Sequence, residues 1–341
     1  MWHVLTPDAQ YADDATIEKT TAGDAFRFHV LRERVAQRIP SELIERADAL
    51  LVWHEVAIDA ALIERLHNCR VIVRAGVGFD HIDLRAAGQA GIPVCNTPDY
   101  GTSEVADHAI ALWLALRRGV ALYDARVRAD PQGGFVPFEA PLVRRVRGTR
   151  FGIIGLGRIG TATALRARAF GCRVVAYDPY LPHGQEIALG VERAETLEAL
   201  LGMCDAVSLH APLSAETRAM INRETLAQMP AHAVLINTAR GALVDVDALC
   251  GALETGRLGG AGLDVLPEEP ANPRSSIIRE AMNGSPWLAG RLLLSPHAAW
   301  YSPESQADAR RLSTETLVTY LRHGRLRNCV NAEYLRAPRG A

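Results

Sequence analysis

The 341-residue sequence predicts an α/β fold with two doubly wound parallel sheets. Two series of short β-branched runs alternate with helical patterns, and such alternation requires crossover connections between parallel strands. A loop rich in proline and glycine, residues 130–141, separates the two series. The length suits two domains or one large one, since one domain has roughly 100–200 residues.

The first series predicts five strands with helices between them. The expected strands are Trp2–Leu5, Arg27–Val30, Ala49–Trp53, Val71–Arg74 and Ile92–Cys95. Helices are expected over Ser41–Arg46, with Ser41 as the N-cap, and over Asp59–His67.

The segment Thr102–Arg118 predicts one long helix that is apolar on nearly all sides. A helix of this kind must be buried. Because its apolar surface exceeds what one domain can cover, we expect a homodimer that forms through this helix.

The second series predicts six strands, followed by an amphipathic helix over Pro303–His323. The expected strands are Phe151–Ile154, Arg173–Tyr177, Ala206–Leu209, Val234–Ile236, Gly262–Val265 and Leu292–Leu294. The last helix has no sheet of its own, so it belongs with the first series. We therefore expect one domain of residues 1–100 and 300–341 and a second of residues 101–299, with hinges near Tyr100 and Trp300.

Composition excludes several classes of protein. Apolar residues make up 48% and charged residues 22%, which is typical of a soluble globular chain. A net charge of −2 gives no electrostatic case for nucleic acid or an anionic membrane. The N-terminus lacks the basic region of a signal peptide, so we expect a cytoplasmic protein. The six cysteines show no zinc-binding spacing, and we expect buried small hydrophobes and no metal.

The glycine motif at 155–160 is the first sign of function. It follows a predicted strand and precedes a predicted helix over Thr161–Phe170. In that context it predicts a dinucleotide site, where glycines allow a tight turn, close approach of the pyrophosphate and close helix packing. The helix N-terminus attracts the phosphates. The residues expected there are Gly155, Gly157, Arg158, Ile159 and Gly160.

Asp178 ends the next predicted strand, at the spacing expected of a residue that binds the adenosine ribose hydroxyls. A 2′-phosphate at this place would meet a carboxylate, and the next three residues contain no Arg or Lys. The sequence therefore favours NAD over NADP. A solvated aspartate at a strand end is the alternative.

Three later segments carry charged groups at strand ends, where open α/β sheets bind their ligands. They contain Arg240, the pair Asp264 and Glu269, and His297. Arg240 can bind a carboxylate bidentately. Taken singly, each segment is more typical of a surface ion pair or an ordinary histidine than of a catalytic group.

In this order along the chain, the motifs resemble those of the D-isomer-specific 2-hydroxyacid dehydrogenases. The resemblance rests on Arg74–Asp83, Asn96–Pro98, the glycine motif, His210–Leu213, Asn237–Gly241, Asp264–Pro270 and Pro296-His297. It implies a flavodoxin-like substrate domain (1–100 and 300–341) and a Rossmann NAD-binding domain (101–299). Residues 177–181, 297–302 and 328–331 are most similar to the C-terminal-binding-protein branch, which includes transcriptional corepressors.

The resemblance implies an NAD-dependent oxidoreductase that interconverts a small 2-keto acid and a 2-hydroxy acid. Arg240 would hold the substrate carboxylate, and His297 would donate a proton to the carbonyl oxygen. Glu269 would orient the imidazole and stabilise its charged form. The backbone N–H groups around Val77 and Gly78 would add a second carboxylate contact.

The resemblance also assigns the cofactor side of the site. Asp264 would orient the nicotinamide carboxamide. His210, Thr238 and Ala239 would line the ribose and ring, with Arg240 and His297 beside them.

Trp300 stands where most members of the family carry a small residue. We expect it to favour substrates with an extended apolar or thioether side chain over glyoxylate. A packing role at the domain hinge is the alternative for this residue. For the whole chain, the alternative is a dimeric binding protein in which NAD(H) controls assembly and an apolar groove on the N-terminal domain captures a peptide.

Overall fold

The computed structural model describes residues 1–335 and divides the chain into two compact units. The first comprises Met1–Gly101 and residues 301–335, and the second comprises Thr102–Trp300. Each boundary lies one residue from the position expected from sequence. No helix in the described part of the chain has both the length and the apolarity of a membrane span.

Residues 1–335 contain twelve strands: β1 (Trp2–Thr6), β2 (Phe26–Val30), β3 (Ala49–Val52), β4 (Val71–Arg74), β5 (Val94–Cys95), β6 (Arg150–Ile154), β7 (Arg173–Tyr177), β8 (Glu192–Arg193), β9 (Ala206–Leu209), β10 (Val234–Asn237), β11 (Gly260–Leu263) and β12 (Leu292–Leu294). The α-helices of the same residues are α1 (Thr16–Ala22), α2 (Ser41–Arg46), α3 (Ala60–Glu64), α4 (Leu84–Gln89), α5 (Thr102–Arg118), α6 (Val120–Ala129), α7 (Arg158–Ala169), α8 (Gln185–Leu189), α9 (Leu197–Met203), α10 (Arg223–Leu226), α11 (Val246–Glu254), α12 (Ser276–Met282) and α13 (Pro303–His323). Short 3₁₀ helices cover Ala36–Arg38, Gly241–Leu243, Pro286–Leu288 and Ala332–Tyr334.

The first unit is a five-stranded parallel sheet in the order β2-β1-β3-β4-β5. This is the flavodoxin-like order, which confirms the predicted fold class. Alternate residues of β3 face two cores. Leu50 and Val52 pack with α2, α3 and α4, whereas Ala49 and Leu51 pack with α1 and α13. Both faces of the sheet are therefore buried, as the apolar strands predict.

The second unit is a parallel sheet in the order β12-β11-β10-β9-β6-β7-β8. It has seven strands, so the prediction of six was one short, and the additional strand is β8 at the edge. The strand order reverses on either side of β6. Ligands of open α/β sheets bind in the crevice at such a reversal, next to the carboxyl ends of the strands.

Helix α5 has the predicted bounds, but its environment differs from the expectation. Its apolar side chains pack against α7 and against β10 and β11 of the same unit. Trp113 lies edge-on to Phe151, with 5.0 Å between ring centroids. The inference that one domain could not cover this helix is wrong, because the broad sheet and α7 cover it together. The homodimer stays a prediction.

Helix α2 has a different N-cap from the one predicted. Ser41 is its first residue and not its N-cap, which is Pro40. The Pro40 carbonyl already accepts hydrogen bonds from the N–H groups of Leu43 and Ile44. The first turn therefore starts one residue earlier than a serine cap requires.

Candidate active site

The glycine loop joins β6 to α7, and each glycine has a distinct reason to lack a side chain. Gly155 has a φ of +88°, and a Cβ there would lie 2.8 Å from the backbone nitrogen of Ala211. A Cβ on Gly160 would lie 2.0 Å from the Gly155 carbonyl oxygen. A Cβ on Gly157 would meet nothing within 4 Å, so ligand atoms can approach the backbone there. These are the three roles that the motif predicts.

Helix α7 begins at Arg158, three residues before the predicted start, with Gly157 as its N-cap. Arg158, Ile159 and Gly160 therefore form its first turn. The N–H groups of a first turn have no partner within their own helix, and they carry the positive end of the helix dipole. This turn is suited to the phosphates of a dinucleotide.

Asp178 follows β7 and its carboxylate turns toward the glycine loop. Its Oδ2 accepts a hydrogen bond from the Leu156 N–H at 2.9 Å, and its Oδ1 accepts one from the Tyr180 N–H at 3.0 Å. Tyr180 in turn donates its hydroxyl to Glu216 Oε2 at 2.5 Å. The Asp178 carboxylate therefore contacts the glycine loop directly, and a second carboxylate, from the segment after β9, contacts Tyr180.

The three residues expected to line the nicotinamide ribose and ring follow β9 and β10. Burial lowers the pKa of His210 to about 3, so its imidazole is neutral, and its Nε2 lies 2.9 Å from Ser208 Oγ. Thr238 is 7% exposed, and no group within residues 1–335 hydrogen-bonds to its Oγ1. The Ala239 N–H donates a hydrogen bond to Asn237 Oδ1 at 3.0 Å. A buried hydroxyl without a partner is suited to contact a bound polar group.

Arg240 lies on a loop that is held by hydrogen bonds within it and by a close backbone contact with a second loop. The Asn237 side chain donates to the Arg240 carbonyl at 2.8 Å, and Arg240 Nη1 donates to the Ala239 carbonyl at 2.7 Å. A Cβ on Gly241 would lie only 1.9 Å from the Leu266 carbonyl carbon. The arginine loop therefore packs directly against the backbone of the loop that carries Glu269.

Glu269 and His297 form the predicted pair. Nδ1 of His297 lies 2.6 Å from Oε2 of Glu269, and Oε1 of Glu269 accepts from the Leu266 N–H at 3.1 Å. The His297 side chain is 20% exposed and the Glu269 side chain is 33% exposed. The contact assigns Nδ1 to the carboxylate, so Nε2 is the ring nitrogen that can exchange a proton with a substrate.

His297 has a φ of +55°, a left-handed conformation that non-glycine residues rarely adopt. Asp264 stabilises this turn by hydrogen bonds to its backbone. Its carboxylate is fully buried and accepts hydrogen bonds from the N–H groups of Ala298 and Ala299, both at 2.9 Å. Its carbonyl accepts from the His297 N–H at 2.7 Å. Asp264 thus positions the histidine, and its contact with a carboxamide stays a prediction.

Two further residues of this network were missed in the sequence analysis. Ser295 donates its hydroxyl to Asp264 Oδ1 at 2.6 Å, and the same Oγ lies 2.8 Å from His108 Nε2. His108 comes from α5, far away in sequence. The only available signal was a serine two residues before His297, on the same segment after β12.

The remaining predicted residues are divided between the two units. Val77 and Gly78 follow β4 in the first unit, where the Asn96 side chain donates to the Val77 carbonyl at 2.7 Å. Trp300 is partly buried and is the last residue of the second unit.

Comparison with known proteins places this site in a family. Residues 110–299 match the family model described as the NAD-binding domain of D-isomer specific 2-hydroxyacid dehydrogenases. A glyoxylate reductase of Korarchaeum cryptofilum is 37% identical over 88% of both chains. C-terminal-binding protein 1 of Caenorhabditis elegans is 32% identical over 94% of this chain and 44% of its own length.

Two solved structures with similar folds differ in cofactor. D-lactate dehydrogenase from Aquifex aeolicus, complexed with NAD and lactic acid, has a TM-score of 0.81 and 28% identity, covering 94% of this chain and 95% of that one. The NADPH-dependent glyoxylate/hydroxypyruvate reductase of Sinorhizobium meliloti, with NADP and malonate, has a TM-score of 0.84 and 28% identity, covering 99% and 98%. The likeness therefore leaves the choice between NAD and NADP to the residues of this chain.

Proposed function

The chain belongs to the D-isomer-specific 2-hydroxyacid dehydrogenases, oxidoreductases that act on CH–OH donors, and we propose that it reduces a small 2-keto acid to the 2-hydroxy acid with NADH. One observation carries the proposal. Glu269 lies 2.6 Å from Nδ1 of His297, on a loop that packs against the loop of Arg240. An oriented imidazole and a guanidinium are the two groups that reduction of a keto acid requires from the protein.

In the proposed reaction the bound dinucleotide supplies the hydride. His297 gives the proton on Nε2 to the carbonyl oxygen, and Glu269 stabilises the imidazolium before transfer. Arg240 binds the substrate carboxylate bidentately and polarises the adjacent carbonyl. The N–H groups of Val77 and Gly78 provide the second carboxylate contact.

The residues present fit a dinucleotide. The open face of Gly157 and the first turn of α7 suit the phosphates, and the buried Oγ1 of Thr238 suits a polar group of the nicotinamide half. We propose NAD and not NADP because Asp178 presents a carboxylate next to the glycine loop. A 2′-phosphate beside that carboxylate is repelled.

Cofactor preference is tested by measuring kcat/KM with NADH and NADPH. We expect wild type to prefer NADH. Asp178→Ala should lower the ratio of kcat/KM with NADH to kcat/KM with NADPH by about tenfold, which corresponds to about 1.4 kcal/mol. Glu195→Gln is the matched control, because that carboxylate is 75% exposed and forms no part of the proposed site. Equal use of both cofactors by wild type would show that the ribose assignment is wrong.

Activity itself is tested by NADH oxidation with a panel of 2-keto acids. The panel contains glyoxylate, hydroxypyruvate, pyruvate, phenylpyruvate and a thioether keto acid. We expect unequal rates with a clear preference. Failure of every member to oxidise NADH would refute the proposal.

The alignment with C-terminal-binding protein 1 supports a second candidate, an NAD(H)-regulated dimeric binding protein. A pull-down with short apolar peptides, with and without NADH, distinguishes it from an enzyme that binds none.

Sedimentation at micromolar concentration tests the predicted homodimer, and a monomer would contradict it.

A further inference from the structure

The C-terminal segment of the described chain covers an open sheet edge. β5 is the edge strand of the first unit, and residues 328–331 lie antiparallel to it. The Val330 N–H donates to the Val94 carbonyl at 2.8 Å, and the Asn96 N–H donates to the Asn328 carbonyl at 3.2 Å. Asn331, which is fully buried, accepts the Val94 N–H on its side-chain oxygen at 2.8 Å. The segment is thus an additional partner for β5.

Cys95 and Cys329 are directly opposite each other in this pairing. The hydrogen bonds flank the two cysteines and do not join them, which defines a non-hydrogen-bonded antiparallel pair. Cα atoms of such pairs lie about 4.5 Å apart. That separation falls within the range of about 4.4–6.8 Å in which a disulfide can form.

The two thiols interact and differ in character. Cys95 is fully buried, whereas Cys329 is partly exposed. The hydrogen bond from the Cys95 thiol lowers the pKa of Cys329 and raises the pKa of Cys95. Because the thiolate is the reactive form of cysteine, Cys329 is the nucleophile of the pair. An oxygen acceptor also lies near Cys329 Sγ, 3.4 Å away at Asn331 Oδ1, and near Cys69 Sγ, 3.3 Å away at the Val71 carbonyl. Cys69 differs from Cys329 in being fully buried.

We propose that Cys95 and Cys329 are a reversible disulfide site that fastens the C-terminal segment to β5 when the protein meets a small disulfide such as oxidised glutathione. The Cys329 thiolate attacks one sulfur of the small disulfide, whose S–S bond breaks and releases one thiolate. The released thiolate takes the proton of the Cys95 thiol. The Cys95 thiolate then attacks the Cys329 sulfur of the mixed disulfide and displaces the second small thiolate, which takes from water the proton that Cys329 released on ionising. Two protein thiols are thus oxidised, and one small disulfide is reduced to two thiols.

The test is to incubate the folded, full-length protein with oxidised glutathione at neutral pH, then to quench with acid, alkylate and map peptides by mass spectrometry. We expect a Cys95–Cys329 cross-linked peptide that is two hydrogens lighter than the free pair and that disappears with dithiothreitol. Cys95→Ser should stop at a glutathione adduct on Cys329. Cys69→Ser, the matched control, should form the cross-link as wild type does.

Two results would overturn the proposal: both thiols of wild type stay free, or the glutathione adduct on Cys329 persists without cross-linking. A measurement on unmodified wild type covers the case in which Cys95→Ser does not fold. Iodoacetamide should alkylate Cys329 at least about tenfold faster than Cys69, since thiolate character and exposure set the rate. Equal rates would also contradict the proposal.

Discussion

Replacing Gly241 with alanine tests whether contact between two loops positions Arg240. The new Cβ would lie 1.9 Å from the Leu266 carbonyl carbon and 2.4 Å from the Pro267 nitrogen. Ordinary contact begins at 3.4 Å, so the loops must separate by about 1.5 Å, the difference between 3.4 and 1.9. These neighbours are backbone atoms, so the clash cannot be relieved by a change of side-chain rotamer.

A misplacement of about 1 Å can lower a rate about 100-fold, so we expect Gly241→Ala to lower kcat by about that factor. Overpacking should also lower the free energy of unfolding by about 1–3 kcal/mol. NADH affinity should change little, because the phosphates bind at the loop after β6. Steady-state kinetics, an NADH fluorescence titration and urea unfolding measure the three quantities.

Gly251→Ala is the control for this substitution. Gly251 lies within α11, and a Cβ there would meet nothing within 4 Å. Alanine should therefore leave kcat unchanged and raise the free energy of unfolding by about 0.5–1 kcal/mol. If Gly241→Ala behaves like Gly251→Ala, contact between the two loops does not position Arg240.

Three other predictions concern acid-base chemistry, specificity and stability. Glu269→Gln should retain some activity and move the pH optimum for reduction to lower values, because a neutral partner no longer stabilises the charged imidazole. An unchanged pH profile would show that Glu269 does not act through His297. Trp300→Ala should lower the rate of reduction more for bulky keto acids than for small ones. An equal loss of rate with every substrate would indicate that Trp300 packs at the domain hinge. Arg310 hydrogen-bonds Asp13 at 2.7 Å and holds the pKa of that carboxyl below its usual range. This stabilisation is present above the unfolded pKa of Asp13 and is lost as pH falls, so Asp13→Asn should flatten the acid dependence of the free energy of unfolding, and an unaltered slope would contradict it.

The strands were predictable where burial on both faces leaves a continuous apolar run. All four residues of β10 are buried, for example. β8 has no such run, because Glu192 and Arg193 pair with a single neighbour at the sheet edge. Helix α1 was missed for a different reason. Its buried residues include Glu18, whose charge is compensated by Arg310 from α13, and a local pattern cannot show a partner so distant in sequence.

The site shows the same division between local and distant information. The motifs identify Glu269 and His297, and the structure brings them into contact. The bonds of Asp264 were not predictable, because two of its partners are backbone N–H groups whose direction depends on the left-handed turn at His297. The close approach of Gly241 to Leu266 likewise exists only after β10 and β11 have paired.

The most direct test of the account is His297→Ala, assayed for turnover and for NADH binding in the same preparation. General acid catalysis contributes roughly 10²–10⁴-fold, so turnover with the preferred keto acid should fall by that factor. The dissociation constant for NADH should stay near the wild-type value, because the predicted phosphate contacts lie at the glycine loop and do not involve the imidazole. Turnover within about tenfold of wild type would contradict the assignment of His297 as the proton donor, since that loss is smaller than an acid catalyst contributes.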